Sequence, residues 1–328
     1  MTHNVKTFRF RTRDGAQIPF EYLAGQFLTL HLEPGGIPTK RSYTIASSPT
    51  WSDRIEITVK REDHGLVSRW LHDEVKIGDE IEIEAPNGTF FFTGEEAESV
   101  VLIGGGVGIT PMMSKVRYLT ENNWSGKINL ILGFQAPSDF IFREEIAELQ
   151  SRNPNLGVTV TMSDPGDEPW AGAVGFIDAG LLKAAVPDIA TSRAHLCGPP
   201  PMMDAVKSTL IELGVPDAQI KTEAFGTVKR DPTMKGTAST EIAGNVTFQA
   251  SDTIAAVPVG ATILDAADEA GVFIDNACRS GTCGSCRVKL VSGNVTMAVE
   301  ESLTEEDKVQ NYILACQSEI GGDVTVEA

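Results

Sequence analysis

The sequence predicts a multidomain protein: an antiparallel β-barrel, then an α/β domain on a parallel sheet, then a smaller α+β domain. Three observations carry this. The chain has 328 residues, beyond the roughly 250–300 at which one hydrophobic core stops growing. Period-two strands bounded by turns fill its first part, and strands alternating with helices fill its middle. Four of its five cysteines lie between Cys278 and Cys316, close to the C-terminus.

Residues 1–96 read as the barrel. Lys6–Phe10, Arg54–Val59 and Glu80–Ile83 alternate, and Asp14-Gly15, Pro34-Gly35-Gly36, Gly78-Asp79 and Pro86-Asn87-Gly88 are turn signals between them. Residues 97–226 change rhythm. The apolar runs Ser99–Ile103 and Ile128–Leu132 read as buried strands, followed by helices over Pro111–Leu119 and Asp139–Leu149. Val158–Thr161 and Arg193–Cys197 add further strands. Residues 227–242 are polar, small and aperiodic, and read as a linker. Residues 243–328 resume with a strand over Asn245–Ala250 and a helix over Ala261–Ala270.

Charge and hydropathy exclude some classes. Lys plus Arg number 27 against 45 Asp plus Glu, a net charge of −18, so a nucleic-acid partner is not expected. No membrane span is expected either, because the longest apolar run, Val100–Met113, is short and broken by glycines. No basic and then apolar leader opens the chain, so the expected compartment is the reducing cytoplasm.

In that setting clustered cysteines point to metal chemistry rather than disulfides. Cys278-x4-Cys283-x2-Cys286, with Cys316 after 29 intervening residues, is the spacing of a plant-type [2Fe-2S] cluster. Zinc is the alternative for four cysteines, but its sites usually show two close pairs rather than three plus one.

Two nucleotide-type motifs lie upstream. In Arg41-Ser42-Tyr43-Thr44 the ring of Tyr43 can stack on a flavin, Arg41 can fork onto phosphate and Thr44 can offer a hydroxyl. Val59-Lys60 follows, then Gly65–Ser68, whose Val67 and Ser68 open a helix suited to an anion. Taken alone, Arg41–Thr44 reads equally as an ordinary strand. Gly104–Pro111, a glycine turn between strand and helix, brings Gly105, Gly106, Gly108, Thr110 and Pro111 to where a pyrophosphate needs close backbone approach. Cys197-Gly198-Pro199 and Glu223-Ala224-Phe225-Gly226 lie beyond it. Cys197 also reads as a small buried strand residue, and Met112, Met113, Met202 and Met203 read as core. The five histidines show no ligand spacing.

Together and in this order the motifs resemble the ferredoxin–NADP reductase superfamily, joined to a plant-type ferredoxin domain. The resemblance implies FAD rather than FMN, held by Arg41–Thr44, Val59, Lys60, Gly65, Val67 and Ser68. It implies a nicotinamide nucleotide at Gly105, Gly106, Gly108, Thr110, Pro111, Ser163, Asp164, Cys197, Gly198 and Pro199. Phe225 lies near the flavin ring, and the chemistry at the nicotinamide falls to Thr110, Cys197 and Glu223. Asp164, with Gln135 where many relatives have arginine, favours NADH over NADPH. The C-terminal domain takes a β-grasp fold, with Cys278, Cys283, Cys286 and Cys316 as cluster ligands. The domain order resembles reductase components of Rieske-type oxygenases, which implies electron flow from NADH through FAD and [2Fe-2S] to a terminal oxygenase. A reductase for a hybrid-cluster protein or a di-iron oxygenase, and a non-enzymatic redox carrier or sensor, are the other readings.

Overall fold

The computed structural model describes residues 2–328 apart from 37, 64, 226–240, 277, 278, 280, 282, 283 and 301, and apart from the side chain of 85. Cys278 and Cys283, and the expected linker as far as residue 240, therefore lie outside the described residues. The chain divides into two compact units. The first takes in the described residues up to Phe225 except Lys40–Ser42, which are grouped with the second, and the second otherwise runs from Glu241 onward.

The first unit opens with five strands and a helix: β1 (Val5–Phe10), β2 (Phe27–Leu32), β3 (Thr39–Thr44), β4 (Ile55–Lys60), α1 (Leu66–Asp73) and β5 (Glu82–Asn87). These strands form two sheets, ordered β1–β4 and β3–β2–β5. β1 and β4 pair antiparallel, as do β2 and β5, and a bridge between Ile45 and Ile57 links the sheets. Ile55, Ile57 and Val59, the apolar positions of the alternation, enter a core with Leu28, Leu30 and Leu71, and Glu56 and Thr58 between them are buried as well. Strand β5 starts at Glu82 rather than Glu80, where its pairing with His31 begins.

The rest of the unit is an α/β sandwich of β6 (Ser99–Gly105), α2 (Ile109–Glu121), β7 (Lys127–Phe134), α3 (Arg143–Arg152), β8 (Leu156–Met162), β9 (Ala173–Val174), α4 (Ala179–Ala185), β10 (Arg193–Cys197), α5 (Pro200–Glu212) and β11 (Ile220–Glu223). The sheet order is β11–β10–β6–β7–β8–β9, and every neighbouring pair is parallel. A parallel sheet is covered on both faces, which explains why Val100–Ile103 of β6 is apolar at every position. Val100 and Leu102 pack with Met112, Met113 and Val116 of α2. Val101 and Ile103 point the other way, to Leu182 of α4 and Val206 and Leu210 of α5. The helix expected from Asp139 starts only at Arg143. Asp139 instead accepts from the Ala136 amide at 3.2 Å to close a tight turn, and Phe142 takes a left-handed φ of 59° that breaks any earlier helix.

The second unit contains β12 (Ile242–Phe248), β13 (Thr253–Pro258), α6 (Ile263–Ala270), β14 (Arg287–Ser292), β15 (Val295–Met297), α7 (Glu305–Val309), β16 (Tyr312–Leu314), β17 (Ser318–Ile320) and β18 (Val324–Glu327). Its five-stranded sheet is ordered β13–β12–β18–β14–β16, with β12 and β18 parallel and the other pairs antiparallel. Helix α6 begins two residues later than expected because Thr262 caps it, accepting from the Asp265 amide while Asp265 accepts from the Thr262 amide. Among the described residues no helix is long and apolar enough to cross a membrane.

Candidate functional site

The C-terminal ends of the parallel strands build the principal site, as expected for an α/β sheet. Register across three strands sets Gly104 of β6 beside Cys197 of β10, and Cys197 beside Glu223 of β11. The glycine turn then folds onto that row. A Cβ on Gly108 would lie 2.2 Å from the Cys197 carbonyl oxygen and 2.9 Å from the Gly198 nitrogen. One on Gly105 would lie 2.4 Å from Met202 Sδ and 2.9 Å from Pro199 Cδ. Gly106 turns the chain with a left-handed φ of 54° and has open space beside it. The Gly104–Pro111 and Cys197–Pro199 motifs are thus two sides of one backbone cradle. Met202 lies against the cradle, while Met112 and Met113 are core as the sequence suggested.

The side chains around the cradle are deeply buried. Thr110 donates its hydroxyl to the Val107 carbonyl at 3.0 Å, which ties the first turn of α2 to the loop. Pro111 is buried within that helix. Cys197 is wholly buried, and burial first, then the nearby Glu223, pushes its thiol well above the ordinary cysteine range. Phe225 is exposed at the end of the unit. Ser163 and Asp164 stand at the end of β8, on the far side of β7 from the glycine turn, with amides bound to the carbonyls of Phe134 and Gln135, each at 2.9 Å.

Lys115 and His195 were not singled out in the sequence. Both are fully buried here, and among the described residues Lys115 Nζ and both ring nitrogens of His195 lack hydrogen-bond partners. A lysine inside an amphipathic pattern reads as a surface residue, and a lone histidine carries no ligand spacing, so no local signal marked either.

The Arg41–Thr44 motif occupies β3. Arg41 donates to the Lys40 carbonyl at 2.7 Å, and Tyr43 packs at the edge of the Ile55–Ile57–Val59 core. Thr44 is buried, and its hydroxyl has no hydrogen-bond partner among the described residues. An orphaned buried hydroxyl costs free energy unless a further group satisfies it, which fits a bound flavin. Val59 and Val67 send their side chains into the core, and Lys60 is exposed at the end of β4. Ser68 Oγ accepts from the Glu62 amide at 3.2 Å, and a Cβ on Gly65 would lie 2.3 Å from that same oxygen. A side chain at Gly65 would therefore have to displace the Ser68 hydroxyl from the Glu62 amide.

In the second unit Cys286 and Cys316 are both buried, and their sulfurs lie 3.2 Å apart. The Ala315 amide donates to the Cys286 carbonyl at 3.0 Å, so pairing of β14 and β16 brings the two together. Gly281 and Gly284 take left-handed φ angles of 80° and 73°. Gln317 donates to the Arg279 carbonyl at 3.3 Å and Ser302 to the Gly281 carbonyl at 2.7 Å. Two buried thiols from segments distant in sequence, held this close, fit ligands of one metal centre.

Three family models match the chain in order: an oxidoreductase FAD-binding domain over 1–92, an oxidoreductase NAD-binding domain over 102–208 and a 2Fe-2S iron-sulfur cluster binding domain over 246–321. The glycine betaine monooxygenase reductase subunit of Chromohalobacter salexigens is 34% identical, over 99% of this chain and 92% of its own length. The chain belongs to the family of NADH-dependent reductases that carry FAD-, NAD- and [2Fe-2S]-binding domains in one polypeptide. The NADH oxidoreductase HCR of Escherichia coli is 33% identical to the reductase, over 94% of this chain and 89% of its own. The solved phthalate dioxygenase reductase superposes on all of the reductase and 94% of itself, with a TM-score of 0.69 and 26% identity. The cofactors of the reductase are accordingly FAD and [2Fe-2S], and NADH is its electron donor.

Proposed function

We propose that this reductase draws electrons from NADH and delivers them to a terminal Rieske-type oxygenase. The observation that carries the proposal is the likeness over 99% of the chain to a subunit named for a monooxygenase. The domain order of the solved phthalate dioxygenase reductase supports it too. When bound, FAD accepts the two electrons of a hydride and [2Fe-2S] passes electrons on one at a time.

The chain's own residues would position these reactants. Backbone amides of the glycine turn and the N-terminus of α2 would hold the dinucleotide pyrophosphate. Cys197 and Glu223, side by side in the sheet, would shape the nicotinamide pocket with Thr110, and Gly198 and Pro199 would close its edge. Ser163 and Asp164 would face the adenosine ribose, where the Asp164 carboxylate disfavours a 2′-phosphate. Tyr43 and Phe225 would lie against the flavin ring. Arg41, Ser42, Thr44, Lys60, Gly65 and Ser68, with the backbone of Val59 and Val67, would hold its polar parts. Cys278, Cys283, Cys286 and Cys316 would ligate the cluster. We read residues 1–96 as a closing β-barrel, 97–226 as the NAD domain, 227–242 as the linker and 243–328 as a β-grasp domain, working in the cytoplasm.

Purified reductase should yield FAD on acid extraction and two irons per chain, and NADH should outperform NADPH in kcat/KM by at least about tenfold. Mixed with a Rieske oxygenase partner, it should support NADH-dependent turnover. FMN, zinc in place of iron, or turnover of a hybrid-cluster protein alone would each overturn the corresponding part. Thr44→Val should weaken FAD retention about tenfold, the worth of one hydrogen bond of about 1.4 kcal/mol. The cofactor-free protein should not lose stability, because its orphan hydroxyl is gone. Equilibrium dialysis of the flavin and thermal melts of the stripped protein measure the two effects.

A further inference from the structure

Gln317 follows Cys316 directly, in the turn between β16 and β17, and is half-buried. Its side-chain amide nitrogen lies 3.6 Å from Cys316 Sγ, within hydrogen-bond reach of a sulfur. The same nitrogen donates to the Arg279 carbonyl at 3.3 Å and to the Cys316 carbonyl at 3.1 Å. These two neighbours fix which end of the amide faces the sulfur, because a carbonyl only accepts and the NH2 end alone donates. The stem of the side chain rests on the cysteine loop: a Cβ on Gly281 would lie 2.9 Å from Gln317 Cγ. The Arg279 carbonyl is held from its own side as well. Arg279 takes a left-handed φ of 55°, and its guanidinium donates to Asn276 at 3.0 Å and pairs with Asp268.

One amide therefore bridges Arg279, between Cys278 and Cys283 in sequence, and the distant Cys316. A strap would need only the bond to Arg279. The sulfur neighbour adds electrostatics. A [2Fe-2S] centre gains one negative charge when it is reduced, and hydrogen bonds to its sulfurs help to set its potential. A donor aimed at a ligand sulfur is stronger where the acceptor carries more charge, so it favours the reduced form. The nearby guanidinium of Arg279 is engaged by Asp268 and Asn276 instead. We propose that Gln317 is a tuning residue for the iron-sulfur centre, an amide donor to the Cys316 ligand that raises the reduction potential of the centre and so favours residence of the electron there rather than on the flavin. The proposal rests on the reading of Cys316 as a cluster ligand.

The expected size follows from the geometry. The donor is shared among three acceptors and is half open to water, so it belongs at the low end of what a hydrogen bond to a charged group supplies, about tenfold in an equilibrium constant. Gln317→Met keeps the length of the side chain and removes both amide hydrogens. Its centre should be about tenfold harder to reduce against the same reference couple, which for one electron is a midpoint lower by about 59 mV. At a fixed ambient potential below both midpoints the difference closes, and between them the signal of the reduced centre should shrink. A residue that only straps the loop behaves differently. Its loss would lower the melting temperature or the retention of iron and leave the midpoint where it was.

The test uses the intact holoprotein. Redox titration of the cluster, followed by electron paramagnetic resonance of its reduced form, gives the midpoint of the native protein and of Gln317→Met. In parallel, native protein labelled with ¹⁵N only in its glutamine side chains is reduced and examined for magnetic coupling between the cluster spin and a ¹⁵N nucleus. A coupled ¹⁵N is expected in the native protein and its loss in Gln317→Met, together with the lower midpoint. The proposal falls if Gln317→Met binds its cluster with a midpoint equivalent to less than about a twofold change, or if no glutamine ¹⁵N couples to the native cluster. Should Gln317→Met fail to hold its iron, the ¹⁵N measurement on native protein decides alone. Cys316→Ser that keeps the native cluster spectrum and midpoint would instead overturn the reading of Cys316 as a ligand, whatever Gln317 does.

Discussion

Replacing Cys286 by serine is expected to abolish the [2Fe-2S] absorbance while NADH still bleaches the flavin at close to the native rate. The expectation comes from where the side chain sits. Cys286 and Cys316 belong to the core of the second unit, with Val246, Phe248, Leu264 and Val326. The flavin and nicotinamide motifs rest on separate cores, built around Leu28 and Ile57, around Leu102 and Met112, and around Ile103 and Leu196. Losing one thiolate from a four-thiolate set removes the cluster without disturbing those cores. Reduction of cytochrome c or of an oxygenase partner should then fall by at least about 10²-fold, about 2.7 kcal/mol in barrier terms. Ferricyanide, which takes electrons from the flavin directly, should remain an acceptor. Stopped-flow flavin reduction and steady-state cytochrome c reduction measure the two halves in one preparation. Flavin reduction lost along with cytochrome c reduction would show the units to be interdependent, and unchanged cytochrome c reduction would remove the cluster from the electron path.

The parts of this architecture that could be read from sequence were those written in short segments. Val100–Ile103 is apolar at every position because both faces of β6 are covered, and that reads directly as a buried parallel strand. The cysteine spacing encodes its own chemistry, and Thr262-x-x-Asp265 is a legible cap once the helix is suspected. The parts that escaped depend on register and burial between distant segments. Nothing near Cys197 says that Gly104 and Glu223 flank it, because parallel pairing is set by how whole strands pack. Lys115 escaped because α2 is buried on nearly every side. On a helix with one wet face, a lysine after Met112-Met113-Ser114 would be solvated. Arg117, one residue past Val116, is buried as well, but it is satisfied by Glu145 at 2.6 and 2.7 Å and by the Ala46 carbonyl at 2.7 Å. Lys115 has no such set of partners, and only the three-dimensional packing separates the two cases. The delayed start of α3 has the same origin, since Ile141 and Phe142 turn into the core instead of winding into a helix.

Gly108→Ala is expected to cut kcat/KM for NADH by about 10²-fold or more, the cost typical of displacing a binding surface by about 1 Å. The backbone at Gly108 is already helical, with φ −61° and ψ −7°, so alanine meets no conformational penalty there. The penalty is contact alone. The new Cβ would lie 2.2 Å from the Cys197 oxygen, 2.6 Å from the Cys197 carbonyl carbon and 2.9 Å from the Gly198 nitrogen. All three are main-chain atoms at the end of β10, so no rotamer change can clear them, and the start of α2 must lift away from the Cys197–Pro199 segment. That separates the two halves of the dinucleotide cradle while leaving Arg41–Thr44 and its core untouched. Gly106→Ala supplies a contrast in stability. Its Cβ meets no protein atom within 4 Å, but its φ of 54° is left-handed, which costs about 1 kcal/mol for alanine. Gly106→Ala should melt a few degrees lower, whereas Gly108→Ala pays in contact and not in backbone conformation. Gly108→Ala should hold its FAD and accept electrons from dithionite normally, yet respond poorly to NADH. Near-native NADH kinetics in Gly108→Ala would show that the contact between the glycine turn and β10 does not shape the nucleotide site.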